Sequence, residues 1–185
     1  MEDLYTSNLA FHASVGCFTQ LFCNIELKAI LRRIEVKKGE ILQRKGDLNS
    51  KVYQVEAGLL RSYSISDKGK EHIYMFAPED WIIADNVSPD VPCDLFIDAI
   101  EDSVVIKKTK DLDEDHDTTK LMNRLSVLQK RVIMLMCASA LERYEHFLAT
   151  YPDVAQRVPQ RMIASYLGIT PEALSTVRRK RSKKG

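Results

Sequence analysis

Apolar positions along the chain follow two different periods, and the changes between them divide it into three zones. From about Leu4 to Arg33, residues such as Phe18, Leu21, Phe22, Ile25, Ile30 and Leu31 recur at helical spacing and predict helices. From Ile34 short β-rich runs are cut by Lys38-Gly39, Lys45-Gly46-Asp47, Ala57-Gly58 and Asp67-Lys68-Gly69-Lys70. Turn signals about 7–12 residues apart predict an antiparallel sandwich or barrel and not alternating βαβ units. "LFIDAIEDSVVIKKT" adds strands, but its alternate positions Phe96, Asp98 and Ile100 mix apolar with charged residues and leave the register open.

The third zone starts near Lys110. No glycine or proline interrupts it before Pro152, and acids crowd its beginning, where a helix dipole favours them. One long helix is expected over residues 113–150. Leu121, Leu125, Leu128, Val132 and Leu135 trace a heptad seam, and Met122, Ile133 and Met136 widen it. Such a helix either pairs with a second copy or lies buried in a monomer. Its length outruns a small β domain, which favours the homodimer.

Beyond Tyr151-Pro152-Asp153 the spacing predicts two short helices. Pro159 suits the first turn of one that runs to Leu167, and Gly168 is a left-handed stop. Thr170 is placed to cap the second, with Pro171 and Glu172 in its first turn. Ile163, Leu167, Ile169, Leu174 and Val177 form a shared core, with the small Ala164 where the helices cross. This is the helix-turn-helix pattern, whose second helix enters the major groove of DNA. With Leu174 and Val177 inward, Glu172, Ser175, Thr176 and Arg179 form an outward stripe of candidate base readers. Candidates for phosphate contacts are Gln160, Arg161, Thr170, Arg178, Lys180, Arg181, Lys183 and Lys184.

Charge supports that assignment by its distribution. From Tyr151 onward eight bases face two acids, a net +6; the whole chain is +1, so the rest carries −5. A basic module on a mildly acidic body is the footprint of a nucleic-acid binder, although a basic solubility tail has the same charge. At 45% hydrophobic residues the chain of 185 buries a real core, in one large domain or two small ones. No apolar run approaches the roughly 20 residues that span a bilayer. The start has early acids and no basic n-region, so no secretory signal is expected and the protein is placed in the cytoplasm. Cys17, Cys23, Cys93 and Cys137 are scattered and read as reduced thiols, and His12, His72, His116 and His146 are solitary. No metal site, cofactor or catalytic residue is expected. Glu71-His72 beside Tyr74 reads as strand following a turn, not as an acid/base pair.

Order and motif together resemble the CRP/FNR family of bacterial transcription regulators. The carriers are "KKGEILQRKGD", "VYQVEAGLLRSYSISDKGKE" and "MFAPEDWI", followed by "VPQRMIASYLGITPEALSTVRRK". The stretch "RVPQRMIASYLGITPEALS" is similar to Bacteroidetes members. The resemblance implies an α+β protein. Residues 1–112 would be a cyclic-nucleotide-binding-like double-stranded β-roll (a jelly roll) with N-terminal helices, 113–150 a dimerisation helix, and 151–185 a winged-helix-like helix-turn-helix domain. It implies a homodimer on a pseudo-palindromic operator in double-stranded DNA, which recruits or blocks RNA polymerase under control of a small effector in the roll.

In the family's cyclic-nucleotide members a Gly-Glu pair holds the ribose and a later Arg-Ser or Arg-Thr the phosphate. Here Ile83 and Ala84 stand in the first place and Cys93 and Asp94 in the second, and no arginine lies between Arg61 and Arg124. With Asp85, Asp90 and Asp94 nearby, a cyclic phosphate would meet repulsion without a guanidinium partner. Ile83, Ala84, Asp85, Cys93 and Asp94 are therefore candidates for a pocket whose effector is unknown, and ordinary cyclic AMP control is not expected. The N-terminal cysteine cluster of oxygen-sensing relatives is not reproduced either, because Cys17 and Cys23 supply only two thiols. In the reading helix Pro171-Glu172 and Thr176 replace the arginine-bearing positions of well-known members, so the operator is expected to differ. A ligand-sensing roll that regulates a protein partner is the alternative; a cupin-like enzyme would need a metal or acid/base cluster.

Overall fold

A computed structural model describes residues 32–110 and 118–182. Most of the expected N-terminal helical zone, Cys17 and Cys23, and the start of the expected long helix lie outside these residues. The described chain divides into two compact units. One holds the strands apart from the tip of one hairpin; the other holds that tip, Ile65–Ile73, with the C-terminal helices.

Eight strands build the first unit: β1 Arg32–Val36, β2 Ile41–Gln43, β3 Lys51–Ala57, β4 Leu60–Ile65, β5 Glu71–Ala77, β6 Ile82–Ala84, β7 Phe96–Ala99 and β8 Ser103–Thr109. They form two four-stranded sheets, ordered β1-β8-β3-β6 and β2-β7-β4-β5, as the turn spacing predicts. Helical spacing extended to Arg33, but Arg32 and Arg33 already pair with Lys107 and Ile106 in β1. Alternate residues Tyr53 and Val55, Leu60, Ile97 and Ala99, and Val105 meet Val36, Ala77 and Ile83 in one core. The β3–β4 turn requires glycine: Gly58 has φ +93°, and a Cβ there would collide with Ser103 and come within 2.7 Å of the Asp102 carbonyl oxygen.

The open register at Phe96, Asp98 and Ile100 resolves with Ile97 and Ala99 facing the core. Asp98 and Phe96 lie on the sheet's other face, paired across the ladder with Arg61 and Tyr63. That face is buried too, which is why a charged residue interrupts the apolar pattern. The Arg61 guanidinium donates to Asp98 through two bonds of 2.7 and 2.9 Å. It also lies 4.2 Å above the Tyr63 ring, and Tyr63 stacks on Phe96.

In the second unit the expected single helix is two. Helix α1 spans Thr118–Cys137 and α2 spans Ala140–Thr150, followed by the short α3 Val154–Arg157. Ser139 causes the break, because its oxygen accepts from the Glu142 amide while the Glu142 carboxylate accepts from the Ser139 amide at 2.7 Å. This capping box starts a new helix without glycine or proline. Arg143 then satisfies the carbonyls that α1 leaves open, donating to Leu135 at 2.7 Å and Ala138 at 3.0 Å. Phe147, Tyr151 and Tyr166 form a buried aromatic cluster with centroids 5.4–5.6 Å apart.

His146 precedes Phe147 of this cluster in α2. Burial, and then the charge of Arg131, push its pKa below the ordinary 6.5. The folded unit therefore favours neutral imidazole, and the unfolded chain takes up the proton first as pH falls. Stability from this residue is complete above about pH 6.5 and declines as pH drops through the folded value. Melting curves between about pH 7.5 and pH 5.5 should show a decline that His146→Gln reduces.

Candidate nucleic-acid interface

The helix-turn-helix comprises α4, Gln160–Leu167, and α5, Pro171–Ser182. Gly168 ends α4 in the left-handed conformation at φ 65°, and the Ile169 amide reaches back to the Ala164 carbonyl at 3.0 Å. Thr170 caps α5: its side-chain oxygen accepts from the Ala173 amide, and its carbonyl accepts from Leu174. Both features match the sequence expectation. The Glu172 carboxyl is held below its usual range by its own backbone amide and the Thr170 hydroxyl, so it stays ionised at the positive end of α5.

Ile163, Ala164, Leu167, Leu174 and Val177 are all buried, which locks α5 to α4 by its inner face. Glu172, Ser175, Thr176 and Arg179 are exposed together on the outer face. Ser175 and Thr176 donate their hydroxyls to the carbonyls of Pro171 and Glu172, leaving their oxygens with acceptor capacity outward. Gln160, Arg161, Thr170, Arg178, Lys180 and Arg181 are exposed as well. Lys183 and Lys184 lie outside the described residues. Such a surface offers acceptors and one guanidinium on a rigid helix, flanked by cations, as reading a duplex requires.

Sequence reasoning missed Arg143. Besides the carbonyls of α1, it donates to the Leu167 carbonyl at 3.1 Å and so ties the end of α4 to the α1–α2 corner. Ser139-Ala-Leu-Glu142 carried the readable signal for that corner, a capping-box spacing. Ser165 also lies within this unit, donating to the Glu71 carbonyl and accepting from the Ile73 amide of β5. Glu71 and His72 are strand residues, as expected.

The expected seam residues differ in exposure along α1. Met122, Leu125, Val132, Ile133 and Met136 are the exposed apolar residues, with Met122 at 65% and Met136 at 76%. Leu128 and Leu135 are half-buried, and a Leu135 methyl lies 4.0 Å from where a Cβ on Gly168 would stand. Leu121 has no described side chain.

The effector candidates differ in burial. Ile83 is a core residue opposite Tyr53, Ala84 is half-buried and Asp94 exposed. Cys93 is buried, and burial, then the Asp85 charge, push its thiol up. Asp85 is buried and turns to the backbone, its carboxylate accepting from the Asp94 and Leu95 amides at 2.8 Å each. It therefore does not present its charge to a ligand as the sequence suggested. Cys137 is an exposed free thiol. Among the described residues no group of three or more His, Cys, Asp or Glu is placed to hold a metal ion, and no helix is long and apolar enough to cross a membrane.

The described chain thus consists of a roll of two four-stranded sheets followed in sequence by a helix-turn-helix. No family model matches the chain. It is 27% identical to the regulatory protein HlyX of Actinobacillus pleuropneumoniae, over 90% of this chain and 76% of that protein. Identity to the anaerobic regulatory protein of Haemophilus influenzae is 24%, over 79% of this chain and 65% of the other. Among solved structures, FixK2 from Bradyrhizobium japonicum superposes with a TM-score of 0.68 at 22% identity, covering 84% of this chain and 86% of FixK2. A CRP/FNR-family transcriptional regulator from Thermus thermophilus gives 0.64 at 15% identity, over 83% of this chain and 87% of that one. The chain thus shares the fold of CRP/FNR-family transcription regulators and is similar in sequence to bacterial regulatory proteins.

Proposed function

We propose that this regulator acts in the cytoplasm as a homodimer that reads a pseudo-palindromic operator with α5, recruiting or blocking RNA polymerase without control by cyclic nucleotides. The observation that carries the reading is the division of α5 into two faces. Leu174 and Val177 fix it to α4, while Glu172, Ser175, Thr176 and Arg179 remain free for base edges. Dimerisation is supported by the exposed apolar stripe of α1, and independence from cyclic nucleotides by the inward turn of Asp85. Glu172 would accept from a cytosine amine and Arg179 would address a guanine. The cations around them neutralise phosphates.

Selection of duplexes from a random library at low salt is the direct test. Enrichment of a two-fold symmetric sequence, with affinity that falls steeply as salt rises, is the expected result. No enrichment at low salt would reject DNA reading and favour a protein partner. Within the selected operator, Arg179→Ala is expected to relax preference at one base position by about 1–3 kcal/mol. Arg178→Ala should weaken all sequences alike and reduce the salt slope by about one. Equal losses on specific and random DNA for Arg179→Ala would remove it from the base readers.

A further inference from the structure

The irregular segment between β6 and β7 is closed by its own charges. Asp85 opens it, 4% exposed, and a single carboxylate oxygen takes the consecutive amides of Asp94 and Leu95. Lys110 reaches in from the end of β8, donating to the carbonyls of Asp85 and Val87 at 2.6 Å each and to the Ser50 hydroxyl. The far side is tied to the β2–β3 turn: the Cys93 carbonyl accepts from Gly46, the Cys93 amide donates to Asp47, and the Pro89 carbonyl accepts from Asn49.

Neighbouring main-chain amides aimed at one point make a general binding site for an oxyanion. In this roll the anion is a residue of the chain. A tethered carboxylate acts at an effective concentration that free ligands at cellular levels do not match. A phosphoryl group entering there would also strip Asp85 of its donors and leave a buried carboxylate unpaired beside a second negative charge.

We propose that Asp85 is the specificity-determining residue of the roll, the resident anion of the 94–95 amide pair, which bars phosphate-bearing ligands from that segment. This rests on the reading that cyclic nucleotides do not control the protein, and it supplies the physical reason. The effector class it leaves is neutral or cationic. It is independent of what α5 binds.

Hydrogen exchange at the 94 and 95 amides, in phosphate and in chloride at matched ionic strength, tests it on the full chain. In the wild type both amides should be protected equally in the two salts. Asp85→Ala should speed their exchange about tenfold or more, and inorganic phosphate, but not chloride, should restore protection. If Asp85→Ala does not fold, Asp85→Asn carries the test: it retains a neutral acceptor and should show a smaller gain in exchange with partial rescue. Unchanged protection in the folded variant, faster exchange indifferent to phosphate, or extra protection of the wild type by phosphate would each overturn the proposal. Micromolar binding of cyclic AMP to the wild type would reject both this and the absence of cyclic-nucleotide control. A failed operator selection would bear on α5 alone.

Discussion

Asp98→Ala is expected to destabilise the β-roll by about 3–5 kcal/mol, read as a fall in the urea midpoint at unchanged slope. Asp98 and Arg61 are both 9% exposed at the side chain and are joined by two bonds. Truncation removes the carboxylate that takes two bonds from a guanidinium buried against Tyr63, which is the costly way to break such a pair. Removing both charges is different. Arg61→Met with Asp98→Leu retains volume and abolishes the desolvation of two ions, so the double variant should recover most of the loss. A coupling of about 2 kcal/mol or more in the double-mutant cycle is the expected signature. If Asp98→Ala falls within about 1 kcal/mol of the wild type, the pair does not organise this face. Since whole domains are stable by about 5–15 kcal/mol, the single change threatens folding and the double one does not.

The same pair shows where a linear pattern stops being informative. Strands with one buried face were legible, because residues such as Tyr53 and Val55 alternate as a core face must. Asp98 was opaque, because its burial depends on an arginine 37 residues away in β4. The helix-turn-helix was readable nearly to the residue. Its determinants, Ala164, Gly168, Thr170 and Leu174, are local and each has one steric or capping reason to be there. The break at Ser139 was legible in principle, yet the absence of glycine and proline masked a capping box. What holds that corner, Arg143 on the carbonyls of Leu135, Ala138 and Leu167, is set by tertiary placement and leaves no periodic trace. Asp85 was identified as the wrong charge for a phosphate. Its actual partners, two amides of the same segment, are a matter of loop geometry that composition does not contain.

Val132→Glu is expected to turn the proposed homodimer into a monomer and to weaken binding to a two-half-site operator by about 10²–10⁴-fold. The position is chosen from the exposed face of α1. Val132 is 54% exposed, in a stripe with Met122, Leu125, Ile133 and Met136. A helix with that much apolar surface in solvent is unfinished as a monomer, and a second copy would complete it. Leu128 is a poorer probe, because it is half-buried within its own chain and a charge there would confound assembly with folding. A glutamate at 132 adds no buried charge to the monomer. In the dimer it sets two like charges at a desolvated seam. Because α5 is held by Leu174 and Val177 against α4, each monomer should retain a folded reading head and bind a single half-site weakly. Most of the loss should therefore come from the missing second head, and the variant should bind the intact operator no better than one with a half-site deleted. Sedimentation reads the first effect and titration at fixed salt the second. A variant still dimeric at micromolar concentration would place the interface elsewhere; a monomer with undiminished operator affinity would show that one head suffices.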